Sequence, residues 1–393
     1  MRRPVAAALA AVLAQLATGA AALDLRIDLV ERVVIPPPIL SNLIAPPDDL
    51  AHAGAELGLA DISATGRFMG DAFTLTQTQL APEDDLRPRV EALLADGARL
   101  ILVKAPAEDL LALSDLATPS GAVIFNLTDP GDDLRGSECR ANILHTTPSL
   151  AMRADALAQF ALKKRWTRLA LLEGPNPEDA AFAEALRAAM SKFGLTIAAE
   201  KAWSFDADMR RVASEEVPAF TQDLPEHDLL LVADERGDFA RYIPYNTWVP
   251  RPVAGSEGIM PLGFSGVVEN WGAAQLQQRF RDLAGREMQA ADFAGWAAIS
   301  AIGEAVTRSR STDPAALRDA LLSDQFRLAG FLGTPLSFRA WDGQMRQPVP
   351  LVTERAVVVT APLEGFLHEF SELDTLGQDR PGTTCTAFER GPA

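Results

Sequence analysis

Arg99-Leu100-Ile101-Leu102-Val103 and Gly121-Ala122-Val123-Ile124-Phe125 decide the fold class of this chain. Each contains a short, unbroken apolar run. Residues 86–96 precede the first and residues 107–117 separate the two, both with helix-like periodicity. A strand that is apolar on both faces must be covered on both faces. Such strands pair in parallel and are joined by helical crossovers.

The same alternation extends outward. Residues 25–30 alternate in part as a first strand, and residues 48–63 read as a helix behind Asp48 or Asp49. Between them lies a proline-rich loop, from Ile35-Pro36-Pro37-Pro38 to Pro46-Pro47. Proline breaks helices and cannot donate to a strand ladder, so this segment is a loop at an edge. Downstream, helices over 149–165 and 177–193 lead into strands at 168–172 and 196–199. A helix ending near Asp223 leads into a strand at 228–232. Right-handed βαβ units follow. The chain has 393 residues, more than one core usually serves. The expected fold class is α/β, with two doubly wound parallel-sheet lobes joined by a hinge.

Composition narrows the function. The chain holds 36 Lys and Arg against 53 Asp and Glu, a net charge of -17. Nucleic acid and anionic lipid bind to basic surfaces, so neither is an expected partner. Two cysteines and four histidines leave little material for a zinc or iron–sulfur site. Arg2 and Arg3, the apolar run from Val5 to about Leu16, and the small residues from Thr18 to Ala22 form a three-part secretory signal. Cleavage is expected after Ala22, which places the mature chain in the periplasm. A membrane anchor is the other reading of this run, but it is short and Gln15 interrupts it. In an exported chain an even cysteine count reads as a bridge, here Cys139 to Cys385. The bridge would tie the C-terminal tail to the first lobe; two unpaired thiols are the alternative.

In doubly wound sheets, ligands bind beyond the carboxyl ends of the strands. The loops at those ends carry Lys104, Asn126 to Pro130, Glu173 to Asn176, and Asp234 to Gly237. None of them contains a GxGxxG, a GxxxxGK[ST] or a GxSxG pattern. His145 and His227 read as structural, and no histidine pair has metal-ligand spacing. The acid pairs Asp48-Asp49 and Asp132-Asp133 fall in turns and read as solvated.

At this point the chain resembles type 1 periplasmic solute-binding proteins, of the branched-chain amino acid ABC-transporter kind. The resemblance rests on Gly54-Ala55-Glu56-Leu57-Gly58 before the Gly66-Arg67-Phe68 turn. It rests also on His145-Thr146-Thr147-Pro148-Ser149 as a lobe crossing, and on Phe331-Leu332-Gly333 through Phe338 and Gly343 as the return. It implies lobe 1 over 23–146 and about 262–336, lobe 2 over 147–261 and about 337–370, and a tail over 371–393. Residues 134–142, 164–166, 244–248, 251–253 and 374–381 resemble a narrower subgroup, associated with alcohol oxidation dependent on pyrroloquinoline quinone (PQQ).

The resemblance implies a monomeric, non-enzymatic component of an ABC importer that delivers a small molecule to an inner-membrane permease. PQQ is the implied cargo, and no cofactor is required. PQQ is flat, aromatic and carries three carboxylates, so a site for it needs a stacking surface and cations. Trp296, Trp271 and Phe264 are the stacking candidates, with core packing as the plainer reading for each. Arg67, Lys104, Arg135, Arg140 and Arg236 are candidates for the anions, with a solvated surface charge as the plainer reading. Trp166, Trp203 and Trp248 read as packing residues. In amino acid binders of this superfamily an acid near Glu235 pairs with the ligand ammonium, whereas Asn126 to Pro130, with Asn126 and Thr128, replace the Ser/Thr-rich turn that grips the carboxylate, a departure that counts against an α-amino acid ligand. Three rival functions stay open: a binder of an amino acid or small carboxylate, a ligand-sensing module that docks a membrane receptor, and an enzyme or cofactor-delivery accessory.

Overall fold

A computed structural model describes residues 22–35, 45–204 and 209–389. The expected export signal, residues 1–22, lies outside these except for Ala22, and most of the proline-rich loop lies outside them as well.

The first lobe is built on a parallel five-stranded sheet. Its strands are β1 (Asp24–Arg32), β2 (Ala72–Leu80), β3 (Leu100–Lys104), β4 (Val123–Asn126) and β5 (Ile143–His145), in the order β2-β1-β3-β4-β5. Side chains alternate between its faces, as the two-residue period of a strand requires. Leu25, Ile27, Leu29, Leu100 and Leu102 enter one core, while Val30, Ile101 and Val103 enter the other. Helices α1 (His52–Gly66), α8 (Ala273–Ala284), α9 (Ala290–Ser309) and α10 (Pro314–Leu321) contribute to the first core. Helices α2 (Leu86–Ala95) and α3 (Ala107–Ala117) cover the second. The Thr- and Gln-rich strand β2 was not expected from sequence. It is an edge strand that buries only Leu80 fully, so it carries no apolar run.

The second lobe repeats the plan. Strands β6 (Arg168–Glu173), β7 (Thr196–Ala202), β8 (Leu229–Ala233) and β9 (Val253–Gly255) form a parallel sheet in the order β7-β6-β8-β9. Helices α4 (Leu150–Lys164) and α5 (Pro177–Lys192) cover one face. Helix α6 (Met209–Thr221) and the short turn α7 (Ile243–Asn246) cover the other. Ser149 caps α4 by accepting from Met152 N, and Asn176 with Asp179 forms a capping box on α5.

Late short strands complete the molecule. β10 (Met260–Pro261), β13 (Val349–Val352) and β14 (Val357–Ala361) make an antiparallel sheet, whose Val349, Leu351 and Ala361 join the lobe 2 core. β11 (Ser337–Phe338) and β12 (Met345–Arg346) form a hairpin whose Phe338 and Met345 join the lobe 1 core. The chain therefore leaves the lobe 1 core after Met345 and enters the lobe 2 core at Val349. The chain passes between the lobes at 145–149, at 260–263 and at 346–348.

In lobe 1, α1 and α9 pack backbone to backbone. A Cβ on Gly54 would stand 1.8 Å from the Asp292 carbonyl oxygen, and one on Gly295 would stand 2.4 Å from that of Ala51. Asp292 also accepts from Ala51 N at 2.9 Å and pairs with Arg286, fixing the start of both helices. Cys139 and Cys385 are disulfide-bonded, with Cα atoms 5.6 Å apart.

Candidate binding cleft

The carboxyl ends of both parallel sheets open toward one cavity of about 520 Å³. Lobe 1 supplies the loop after β4, with Thr128, Asp129, Pro130 and Gly131 in the wall. Lobe 2 supplies Arg153 from α4, Glu178 and Ala181 from α5, and Glu235 from the loop after β8. The crossing segments close the floor with Thr147, Pro148, Pro261, Leu262 and Gly263.

The lobe 1 wall is a rigid turn. The Asn126 side-chain oxygen accepts from the backbone N–H groups of Thr128 (3.2 Å) and Asp129 (3.0 Å), and its amide donates to the Asp129 carbonyl (2.7 Å). The same amide lies 3.0 Å from His145 Nδ1. Burial, with the charge of Arg135 nearby, pushes the His145 imidazole well below its ordinary value, so the ring is neutral at physiological pH. Nδ1 then accepts from the Asn126 amide, which leaves the ring proton on Nε2.

Arg135 stands behind that turn. It is fully buried, and burial lowers its guanidinium to about 10, which leaves it charged at neutral pH. It donates to Gln344 Oε1 (2.8 Å) and to the carbonyls of Asp129 (2.9 Å), Gly131 (2.8 Å) and Thr147 (3.1 Å). These bonds tie the cavity wall to the crossing and to the β11–β12 hairpin, and they aim its donors away from the cavity.

The lobe 2 wall centres on a bidentate pair. Arg153 donates to both carboxylate oxygens of Glu235, at 2.5 and 2.9 Å, and to the Pro261 carbonyl at 3.2 Å. Its guanidinium lies 4.4 Å from the centre of the Phe182 ring. Burial alone would raise the Glu235 carboxyl, but the charge and hydrogen bonds of Arg153, with Ser256, hold it below its ordinary value. Asp179 positions the loop by accepting from Glu235 N at 2.6 Å. One cation, Arg153, faces the cavity beside the three acids Asp129, Glu178 and Glu235. Thr128 and Thr147 line the cavity, and their hydroxyls make no hydrogen bond among the described residues.

Of the site candidates read from sequence, Thr128 and Glu235 line the cavity, and Asn126 and Arg135 support its wall from behind. Arg236 pairs at 3.2 Å with Glu178 outside the cavity lining. The remaining candidates lie elsewhere. Lys104 does end β3, but it pairs at 2.6 Å with Glu31, which also accepts from Gln77 and Gln79. Arg67 is exposed at the far end of α1, beside the start of β2, and donates to the Ser63 carbonyl. Arg140 pairs with Asp115 on the surface. Phe264 is buried and stacks on Phe293 at 4.9 Å. Trp296 is buried between Phe293 and Phe331 and donates to Asp61 at 3.0 Å, so it packs in the lobe 1 core instead of facing the cavity. Trp271 is 55% exposed against Gly333, outside the cavity lining.

Sequence reasoning missed Arg153 and Glu178, and it quoted Asp129 and Thr147 only as members of a strand-end loop and of the lobe crossing. Arg153 carried a signal: it lies one turn into α4, where the helix dipole disfavours a cation. A cation there implies a partner from elsewhere in the fold, and Glu235 is that partner.

Two parallel five- and four-stranded sheets, with the chain passing repeatedly between them and a cavity at the facing strand ends, decide the architecture. The fold is that of the type 1 periplasmic binding proteins. A family profile described as periplasmic binding protein matches residues 44–213. Among solved structures of this fold, a branched-chain amino acid ABC transporter periplasmic ligand-binding protein from Burkholderia xenovorans aligns with a TM-score of 0.70 at 14% identity, covering 93% of this chain and 100% of that one. An amino acid ABC transporter substrate-binding protein from Pseudomonas fluorescens aligns with a TM-score of 0.68 at 15% identity, over 93% and 100%. An ABC transporter solute-binding protein from R. palustris, in complex with benzoate, aligns at 0.63 and 11% identity, over 92% and 99%. No curated protein matches the sequence.

Proposed function

We propose that this protein is the periplasmic solute-binding component of an ABC importer. It closes two lobes on a small solute bearing an ammonium group and presents the loaded form to an inner-membrane permease. The observation that carries this reading is the cavity between the lobes, where Asp129 from lobe 1 and Glu178 and Glu235 from lobe 2 face the same space; Arg236 pairs with Glu178 and Arg153 with Glu235, so that Asp129 is the acid of the lining with no cationic partner among the described residues. An ammonium would supply Asp129 with the partner it lacks, and closure strengthens that attraction by excluding water. The hydroxyls of Thr128 and Thr147 offer donors to an accompanying carboxylate, so an amino acid fits the set.

PQQ fits it less well. Three ligand carboxylates would meet three protein carboxylates, and the cavity lining contains no aromatic ring to stack on. The names of the similar structures, which include binders of amino acids and one benzoate complex, support a small cargo over a large one.

Titration calorimetry of the mature, ligand-stripped chain tests the reading, with leucine, glutamate, lysine and PQQ as probes. One-to-one heat with an amino acid, weakened at least tenfold by Asp129→Asn in a folded variant, supports it. Tight binding of PQQ and silence with the amino acids would overturn the ammonium assignment.

A further inference from the structure

The C-terminal tail is anchored on both lobes. Leu376 is fully buried in the lobe 2 core. The next residue, Gly377, donates its N–H to Asp155 on α4 at 2.7 Å, and its carbonyl accepts from Lys192 on α5 at 3.1 Å. Further along, Cys385 is bonded to Cys139 of lobe 1, and Phe388 packs on the lobe 1 core, 5.5 Å from the Arg318 guanidinium. The tail is also gripped at the hinge itself. Arg339, in the turn of the lobe 1 hairpin, is fully buried and donates to Asp374 (2.9 Å) and to the carbonyls of Leu373 (3.2 Å), Leu376 (2.6 Å) and Gln378 (3.3 Å).

We propose that residues 378–385 form a further crossing between the lobes, closed covalently by the disulfide, which confines the hinge motion. Crossings made of single passages of chain permit both rotation and twist. A strap fixed to lobe 2 by buried hydrogen bonds, and to lobe 1 by a covalent bond, removes part of that freedom. Even fully extended, the span between Gly377 and Cys385 reaches only about 28 Å, at roughly 3.5 Å per residue. Its lobe 1 anchor lies close to the cleft in sequence, since Cys139 follows the turn Asp132–Arg135 whose Arg135 holds the cavity wall. The strap therefore joins the lobe 2 core directly to the segment that shapes the ligand-facing loop. Restricting the ligand-free ensemble lowers the ordering cost of closure.

The test needs no ligand, so it stands apart from the identity of the cargo. The full mature chain carries spin labels at Glu91 on α2 and Glu184 on α5, attached by non-cysteine chemistry. Pulsed dipolar spectroscopy then reads the interlobe distance distribution. Two variants are compared with the parent: Cys139→Ser with Cys385→Ser, and a chain with its disulfide intact but lengthened by a flexible Gly-Ser insertion after the exposed Gly382. Both distributions are expected to broaden. The lengthened strap decides the matter if the cysteine-free variant folds poorly. A lengthened-strap distribution that superimposes on the parent would overturn the proposal.

Discussion

Replacing Arg153 with Met removes the cation that faces the cleft while keeping the length of the side chain. The parent pair is bidentate, and its side chains are only 13% and 18% exposed. Exposed pairs of this kind contribute about 0–1 kcal/mol, whereas removing one partner of a buried pair costs about 3–5 kcal/mol because the other charge is stranded. At this burial we expect a loss of about 3 kcal/mol, on the order of a hundredfold in the folded-to-unfolded ratio. The substitution also reverses a pH dependence. In the parent, the Glu235 carboxyl is held below its ordinary value. Its contribution is then present above the unfolded value near pH 4.3 and is lost as pH falls through the folded value. In the variant, burial without Arg153 raises the folded value. The contribution is then complete below about pH 4.3 and lost as pH rises through the new value. Urea denaturation of the ligand-stripped protein between pH 4 and 8 measures both effects, and adding Glu235→Gln to Arg153→Met closes a double-mutant cycle. The double variant is expected to recover most of the lost stability, since no charge is left unpaired. A loss below about 0.5 kcal/mol, with the parent's pH slope unchanged, would refute the reasoning.

Three further outcomes are expected. Gly54→Ala places a methyl against the Asp292 carbonyl and drives α1 from α9, at a cost of about 3 kcal/mol by thermal unfolding, whereas Gly382→Ala, whose Cβ meets nothing within 4 Å, changes little. Burial raises the Asp155 carboxyl to about 6 against the pull of Lys192, so the stability it contributes is present below about pH 4 and lost as pH rises through 6. That amounts to about 3 kcal/mol, and Asp155→Asn should flatten this part of the pH profile. Trp296→Ala should destabilise lobe 1 by about 3–5 kcal/mol, while Trp296→Phe should leave ligand affinity unchanged in calorimetry; a large loss of affinity in a stable Trp296→Phe variant would return this residue to the site.

The α/β architecture was legible because buried parallel strands announce themselves locally. The apolar runs at 100–103, 123–125, 169–172 and 229–232 all form central strands. Strand β2 escaped because an edge strand with one partner buries little and reads as polar. Strands β5 and β9 to β12 escaped because two or three residues carry too little periodicity to distinguish from loop. At the site, Thr128 and Glu235 were reachable because strand-end loops are where such sheets bind ligands. Lys104 satisfied the same rule, yet Glu31 from the neighbouring strand neutralises it. Trp296 looked like a stacking residue because its helix was legible, but the face that helix turns to the core was not.

The residue pattern alone determined the parallel-strand, helix-covered character of the chain, because each strand and helix records its own burial in the spacing of its apolar side chains. It also determined the acidic balance, and with it the expectation against nucleic acid as a partner. Only the tertiary structure decided which charges meet. Arg153 and Glu235 are 82 positions apart, and Arg135 and Gln344 are 209 apart. Whether a cation faces a ligand or a carboxylate depends on a partner delivered by another element, and no local pattern encodes that partner. The tail follows the same logic: the distance between Cys139 and Cys385 along the chain said nothing of the lobe 2 contacts at Leu376 and Gly377, which exist only once both lobes have folded around them.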